Sequence, residues 1–268
     1  MEKIGLLAGI GFLPVECAKA ARAQGYEVYV VALLPETEKC LQEYATDYQE
    51  IGVFKVGKIL KYLRDKEVTQ VTMIGKVTKE LLYAHKTMPD FKTMQILMSL
   101  KNRKDDTVME ALVDVLEKNT GAKVVDQTAL IRPLMPAAGT LTRRQPTAEE
   151  RKDMEFGFKM AKEIGRMDVG QTVVVKDLAV MALEAIEGTD ACIRRGGQLA
   201  RGGAVVAKVA KPQQDKRFDV PAVGLTTLKT MVEVGAKALV IEAGETLLVE
   251  KDKVLQLADA NGITIVAM

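Results

Sequence analysis

An α/β fold in two domains, an N-terminal Rossmann-like βαβ domain and a C-terminal α/β domain with a mixed sheet, is predicted by three observations. The chain opens on an apolar run, a glycine turn, a helical pattern and a second apolar run. A stretch with three prolines and no helical period interrupts it near the middle. Beyond that point short β-branched runs alternate with amphipathic ones. A length of 268 residues suits two domains of ordinary size, each with its own core.

Ile4 to Ala8 is a continuous apolar run, as expected for a parallel strand buried on both faces. A helix starts near Pro14 and ends at Gly25, and the run after it returns as a second strand. Further strands are expected at Gln70 to Ile74 and Lys123 to Val125, with helices near Lys58 to Lys66 and Asp106 to Lys118. In the last helix Met109, Leu112, Val113 and Leu116 share one face. The first domain is placed at 1–133.

Residues 134–146, within "RPLMPAAGTLTRRQP", read as the interdomain connection, and 147–268 as the second domain. That domain begins with a capping box in which Thr147 accepts from the first turn and Glu150 reaches back. "QTVVVKDLAVMALEAI" predicts two strands joined by a turn at Lys176 and Asp177. A short helix follows, capped by Thr189 and stopped by the twin glycines of "CIRRGG". A strand at Ala204 to Val209, a helix from about Thr226, and strands at Ala238 to Glu242, Thr246 to Val249 and Ile263 to Ala267 complete it.

Composition narrows the chemistry. A net charge of +2 gives no ground for a nucleic-acid partner. No signal-peptide pattern and no apolar run of roughly 20 residues is visible, so a cytoplasmic protein is expected. The three cysteines, Cys17, Cys40 and Cys192, are far apart and read as buried thiols rather than a disulfide or zinc framework. One histidine, His85, and one serine, Ser99, leave little from which to build a Ser/His/acid triad. A hydrolase made from this chain would draw on carboxylates and a metal-bound water.

Four stretches bear on function, each with a structural alternative. "GIGFLP" sets Gly9 and Gly11 between a strand and a helix, where backbone can approach a phosphate, but Pro14 stands at the third glycine position of a dinucleotide fingerprint. It is either a tight turn or a phosphate contact. In "EGTDACIRRGG", Glu187 and Asp190 could hold a hard cation through oxygen while Arg194 or Arg195 grips a phosphate; equally, Asp190 and Arg194 could form an i,i+4 ion pair. "KVAKPQQDKRFDVP" gathers Lys208, Lys211, Lys216 and Arg217 with Asp215 and Asp219, either as a solvated surface or as a phosphate and metal wall. Lys208, ending an apolar strand, would be aimed at the crevice beyond the strand ends, and Lys176, at a turn, is a candidate of the same kind. Finally, Met88, Phe91, Met94, Ile96 and Met98 at helical spacing read as core, or as an adaptable apolar groove or membrane-facing surface.

These motifs resemble those of the LpxI family of UDP-2,3-diacylglucosamine pyrophosphatases. The resemblance runs through "AGIGFLP", "IGKV", "RKDD", "PAAGTLTRRQPT", "DVGQTVVVKD", "EAIEGTDACIRRGG", "VAKVAKPQQDKRFDVPAVG" and "VIEAG". It departs from the family at "GIG", where the family has "GGG". The similarity implies an Mg²⁺-dependent enzyme of lipid A synthesis that hydrolyses an acylated UDP-sugar, bound between the domains, to UMP and 2,3-diacylglucosamine 1-phosphate. It implies Asp219 and Asp190 as the essential acidic groups; the reading of the residues above adds Lys208 as a catalytic group and Glu187, with Asp190 and Asp219, as metal ligands. Gly9, Gly11, Lys176, Thr189, Arg194, Arg195, Lys211 and Arg217 would bind substrate. The enzyme would work at the cytoplasmic face of the inner membrane without spanning it, and a homodimer is compatible with this reading. Against it stand a non-enzymatic nucleotide-sugar or lipid-binding protein and an NAD(P)-dependent oxidoreductase.

Overall fold

The structure, a computed structural model, describes residues 2–77, 88–101 and 105–268. His85 and the first two residues of the "RKDD" stretch, Arg103 and Lys104, lie outside the described residues. The chain divides into two compact units, one of Met1–Ile131 with Lys216–Phe218, the other of Arg132–Asp215 with Asp219–Met268. Residues 134–146, expected as a connection, thus fold with the second unit.

The first unit carries a parallel sheet of β1 (Lys3–Ala8), β2 (Glu27–Ala32), β3 (Asp47–Glu50), β4 (Gln70–Ile74) and β5 (Lys123–Val124) in the order β3-β2-β1-β4-β5. Helix α1 (Leu13–Ala23) starts directly after the glycine turn with Pro14 in its first turn, where the missing N–H costs nothing. The chain leaves β1 toward β2 on one side and later returns to β4 on the other. The glycine turn therefore sits at the switch point of a doubly wound sheet. Helices α2 (Val56–Asp65), α3 (Phe91–Ser99) and α4 (Asp105–Thr120) supply much of the remaining core, in which Leu60, Leu63, Ile96, Val113 and Leu116 are buried. Phe218 packs on that same core.

The methionine stretch departs from the core reading. Met88, Phe91 and Met98 are 80%, 79% and 81% exposed, and of the apolar side chains in the stretch only Ile96 is buried. Helix α3 is short and touches the core along a single line, Thr93 and Ile96, so its other positions have no interior to enter.

The second unit is built on six strands: β6 (Gly139–Thr140), β7 (Thr172–Lys176), β8 (Ala179–Leu183), β9 (Val205–Lys208), β11 (Ala238–Ile241) and β13 (Thr264–Ala267), in the order β6-β13-β11-β9-β7-β8. The three central strands are parallel, and β6, β7 and β8 run against their neighbours. A separate parallel pair joins β10 (Ala222–Val223) to β12 (Leu247–Leu248). Alternation along the strands divides two cores. Val173 and Val175 face helix α5 (Ala148–Arg166) through Met154, Ala161 and Ile164. Val174, Val206 and Leu239 face α6 (Thr189–Ala200), α7 (Leu225–Glu233) and α8 (Lys251–Ala260). The Thr147–Glu150 capping box opens α5 as expected.

Two local expectations are corrected. The β7–β8 turn is centred on Asp177 and Leu178, both left-handed at φ 53° and 60°, and not on Lys176 and Asp177. The buried Asp153 carboxylate accepts from both of their N–H groups, at 2.9 and 2.7 Å, and so holds a leucine in a conformation that sequence disfavours. Helix α6 does not stop at the twin glycines but runs through them to Ala200. Gly196 and Gly197 lack a Cβ because Val174 and Val234 occupy the space one would fill.

Candidate active site

Strand β9 ends at Lys208, whose side chain is 7% exposed. An ammonium this deep needs oxygen partners. Nζ donates to Thr189 Oγ1 at 3.1 Å and to Ala222 O at 2.8 Å. One cation thereby joins the first residue of α6 to the strand that leads into α7. Neither helix has a side-chain cap: α6 is preceded by Gly188 at φ 80°, and α7 by Gly224. Their first turns are tied directly, Thr227 Oγ1 donating to Asp190 Oδ1 at 3.0 Å. Helix starts carry partial positive charge and outward-facing N–H groups. Two of them beside a buried ammonium make a centre suited to phosphate oxygens.

Behind this centre lies a polar network. Thr189 Oγ1 donates to Glu184 Oε1 at 2.9 Å and lies 3.4 Å from Thr172 Oγ1. Glu184 Oε2 accepts from Gln171 N at 3.2 Å. Glu242, just past β11, accepts from Ala210 N at 2.9 Å and Lys162 Nζ at 2.6 Å, which pins the chain as it leaves β9. Thr189 therefore does not cap α6 with its side chain, as expected from sequence; its hydroxyl is spent inside the unit.

The predicted residues do not all gather here. Lys208, Thr189 and Asp190 do. Asp219 belongs to the same unit, its N–H bonded to Asp215 O at 2.9 Å, and it stands within about 11 Å of Ala222 by chain length alone. Lys176 lies elsewhere. Thr172 faces Lys208 and Val175 faces Val205 in the antiparallel ladder, which puts Lys176 at the other end of the strands, about 13 Å away at ~3.3 Å per residue. There its Nζ donates to Ala200 O and Gly202 O, at 2.8 and 3.0 Å, closing the C-terminus of α6. Arg194 turns to Glu233 and Thr230 on α7 rather than to Asp190. Arg195 pairs with Glu187 at 2.5 Å and donates to Leu183 O. That bond from Arg195 holds the Glu187 carboxyl below its ordinary range and raises the guanidinium further. Lys211 pairs with Asp168 at 2.8 Å. Arg217 lies over the Phe218 ring at 6.0 Å, within the first unit. In that unit Gly9 is packed against Gly75 and Lys76, and a Cβ on it would stand 2.7 Å from Lys76 O. Gly11, at φ 98°, faces open space.

Among the described residues no group of three or more His, Cys, Asp or Glu side chains could hold a metal ion. Mg²⁺ bound together with a polyphosphate asks less of the protein, one or two carboxylates with phosphate oxygens and water completing the shell. Asp190 and Asp219 meet that smaller requirement in number and type. Glu187 is engaged instead by Arg195 and by Ala185 N.

Glu184, Thr172, Thr227 and Glu242 were not singled out from sequence. Glu184 and Glu242 each follow directly on an apolar strand, the signal by which Lys208 was found. Thr227 carries no such mark.

Sequence profiles described as "LpxI N-terminal domain" and "LpxI C-terminal domain" match residues 3–134 and 137–266. The chain is 33% identical, over an alignment of 279 residues, to a protein of Caulobacter vibrioides described as UDP-2,3-diacylglucosamine pyrophosphatase LpxI, covering 100% of this chain and 98% of that one. Two solved structures share limited geometry. A UDP-glucose-4-epimerase of Stenotrophomonas maltophila gives a TM-score of 0.31 at 11% identity, covering 46% of this chain and 35% of that one. A phosphoribosylglycinamide synthetase of Anaerococcus prevotii gives 0.28 at 12%, covering 65% and 31%. Scores this low carry no argument about fold or activity.

Proposed function

Since the chain belongs to the LpxI family, we propose that it hydrolyses the pyrophosphate of UDP-2,3-diacylglucosamine, releasing UMP and 2,3-diacylglucosamine 1-phosphate. The observation that carries this reading is the buried Lys208 ammonium, which joins the start of α6 to the strand that leads into α7. Phosphoryl transfer asks little covalent chemistry of the protein; positioning and neutralising charge on the phosphate oxygens supply the rate. Lys208 and the two helix starts neutralise, and Asp219 orients the attacking water. Asp190 and Asp219 would hold Mg²⁺, which supplies Lewis-acid stabilisation of the phosphate oxygens and a more acidic water.

An acylated substrate brings the enzyme to the cytoplasmic face of a bilayer. No helix among the described residues is long and apolar enough to cross one. Met88, just before α3, with Phe91 and Met98 on the helix, suits peripheral contact.

Incubation with UDP-2,3-diacylglucosamine and Mg²⁺, with and without chelator, tests the reading. Wild-type protein should release UMP and lose that activity to chelator. Asp219→Ala should abolish release while keeping the wild-type thermal melt. Near-normal turnover in that variant removes Asp219 from the mechanism. Substrate bound but left intact by the wild type would make the protein a nucleotide-sugar-binding module instead.

A further inference from the structure

Glu184 follows β8, whose other side chains are apolar, and is only 7% exposed. A carboxylate in such a place persists because it is hydrogen-bonded. Its backbone N–H is anchored to Thr172 O at 2.9 Å, on the strand beside Lys208. Its two oxygens have different partners, Thr189 Oγ1 at 2.9 Å and Gln171 N at 3.2 Å.

A threonine hydroxyl has one proton and two lone pairs. The carboxylate can only accept, so the proton of Thr189 goes to Glu184. The lone pairs then face Lys208 Nζ, 3.1 Å away, and Thr172 Oγ1, 3.4 Å away. We propose that Glu184 is a positioning residue of the phosphate centre: by taking the Thr189 proton it turns an acceptor toward Lys208 and so sets where the ammonium stands. This deepens the proposed function and rests on its reading of Lys208.

Glu184→Gln tests the orientation with almost no change of shape. An amide has one oxygen where the carboxylate has two, and both present donors, Thr189 and Gln171, ask for an acceptor. The Gln171 donor is a fixed backbone N–H while the Thr189 hydroxyl can rotate, so the amide oxygen stays with Gln171 and the NH₂ meets Thr189. The hydroxyl must then turn its proton toward Lys208 or toward Thr172 Oγ1 at the long distance of 3.4 Å; either way its acceptor is no longer aimed at the ammonium as before.

Two measurements on the full chain decide the matter. The first is the acetylation rate of individual lysines by an amine-reactive ester, read by peptide mass spectrometry. Lys208 should be modified several-fold faster in E184Q, while Lys176, held by Ala200 and Gly202 carbonyl groups at the other end of the strands, keeps its wild-type rate. The second is UMP release. E184Q should lower kcat ~10- to 100-fold, the scale of a displacement of about 1 Å at a reacting centre, with KM moved less than about threefold. Added to T189V, which already breaks the relay, E184Q should cost no more than about a further threefold. Unchanged Lys208 labelling, fully additive losses, or a parallel rise at Lys176 would overturn the proposal. Should E184Q not fold, E184D carries the same test: it keeps the charge but draws the acceptor back from Thr189, and Lys208 labelling must rise while Lys176 keeps its wild-type rate. A wild type that releases no UMP sinks the proposed function, and the labelling result still judges Glu184.

Discussion

Helix α6 delivers Thr189 and Asp190 to the site, and the glycines within it govern how closely it lies on the sheet. Gly196→Ala is the sharpest test of that link. A Cβ built on Gly196 would stand 2.5 Å from Val174 Cβ and 2.7 Å from both of its methyl groups. Val174 is fully buried on a strand with neighbours on both sides, and its Cβ cannot rotate away. Carbon atoms rest at ~3.5–4.0 Å, so the helix must retreat by about 1 Å. Alanine gains about 1 kcal/mol over glycine in a helix interior, while overpacking a core costs ~1–3 kcal/mol. With a rigid contact the upper end applies, for a net loss of about 2 kcal/mol. At ~2–4 °C per kcal/mol for a domain of roughly this size, Tm should drop by about 4–8 °C. The same retreat carries Thr189 away from Lys208, and kcat should fall ~10- to 100-fold with it. Differential scanning calorimetry and a UMP-release assay read the two effects. A variant as stable as wild type, with unchanged turnover, would refute the close approach and the claim that packing of α6 sets the site.

Other outcomes follow from single contacts. Lys176→Met should lower stability by ~1–2 kcal/mol, because the Ala200 and Gly202 carbonyl groups lose their donor; a loss of UMP affinity equal to that of Lys208→Met would return Lys176 to the site. Burial pushes the Cys17 thiol up to about 12, and burial with the Glu184 charge does the same for Cys192, so at pH 8 a thiol reagent should titrate Cys40 alone in the native protein and all three cysteines after denaturation. Burial works against the Asp90 carboxylate, but bonds from Thr93 and Gly57 outweigh it and hold the group below its ordinary range. Such a group stabilises the fold fully above the unfolded carboxyl value and loses that contribution as pH falls through the folded one. Asp90→Ala should therefore cost ~1–2 kcal/mol at neutral pH, as the loss of a helix cap does, and the melts of wild type and variant should converge below about pH 4. A difference that persists undiminished in acid would show that the charge is not what Asp90 contributes.

Much of this architecture is written in local pattern. The apolar runs of β1, β9 and β11 answer to a parallel sheet covered on both faces, and the Thr147–Glu150 box marks the start of α5, because periodicity and capping act between residues close in sequence. Lys208 could be singled out for the same reason: a charge ending an apolar strand is visible in one dimension.

What only the tertiary structure decided are the choices among partners. Arg194 might equally pair with Asp190 one turn away, yet it goes to Glu233 on another helix. The glycines of "RRGG" would end an isolated helix, yet here they admit Val174 and Val234 and the helix continues. Lys176 and Lys208 look alike in sequence, and an antiparallel ladder sends them to opposite ends of one sheet. Each outcome depends on which surfaces meet in space, and a hydrogen bond or a methyl contact between residues far apart in the chain leaves no trace in the pattern of either segment alone.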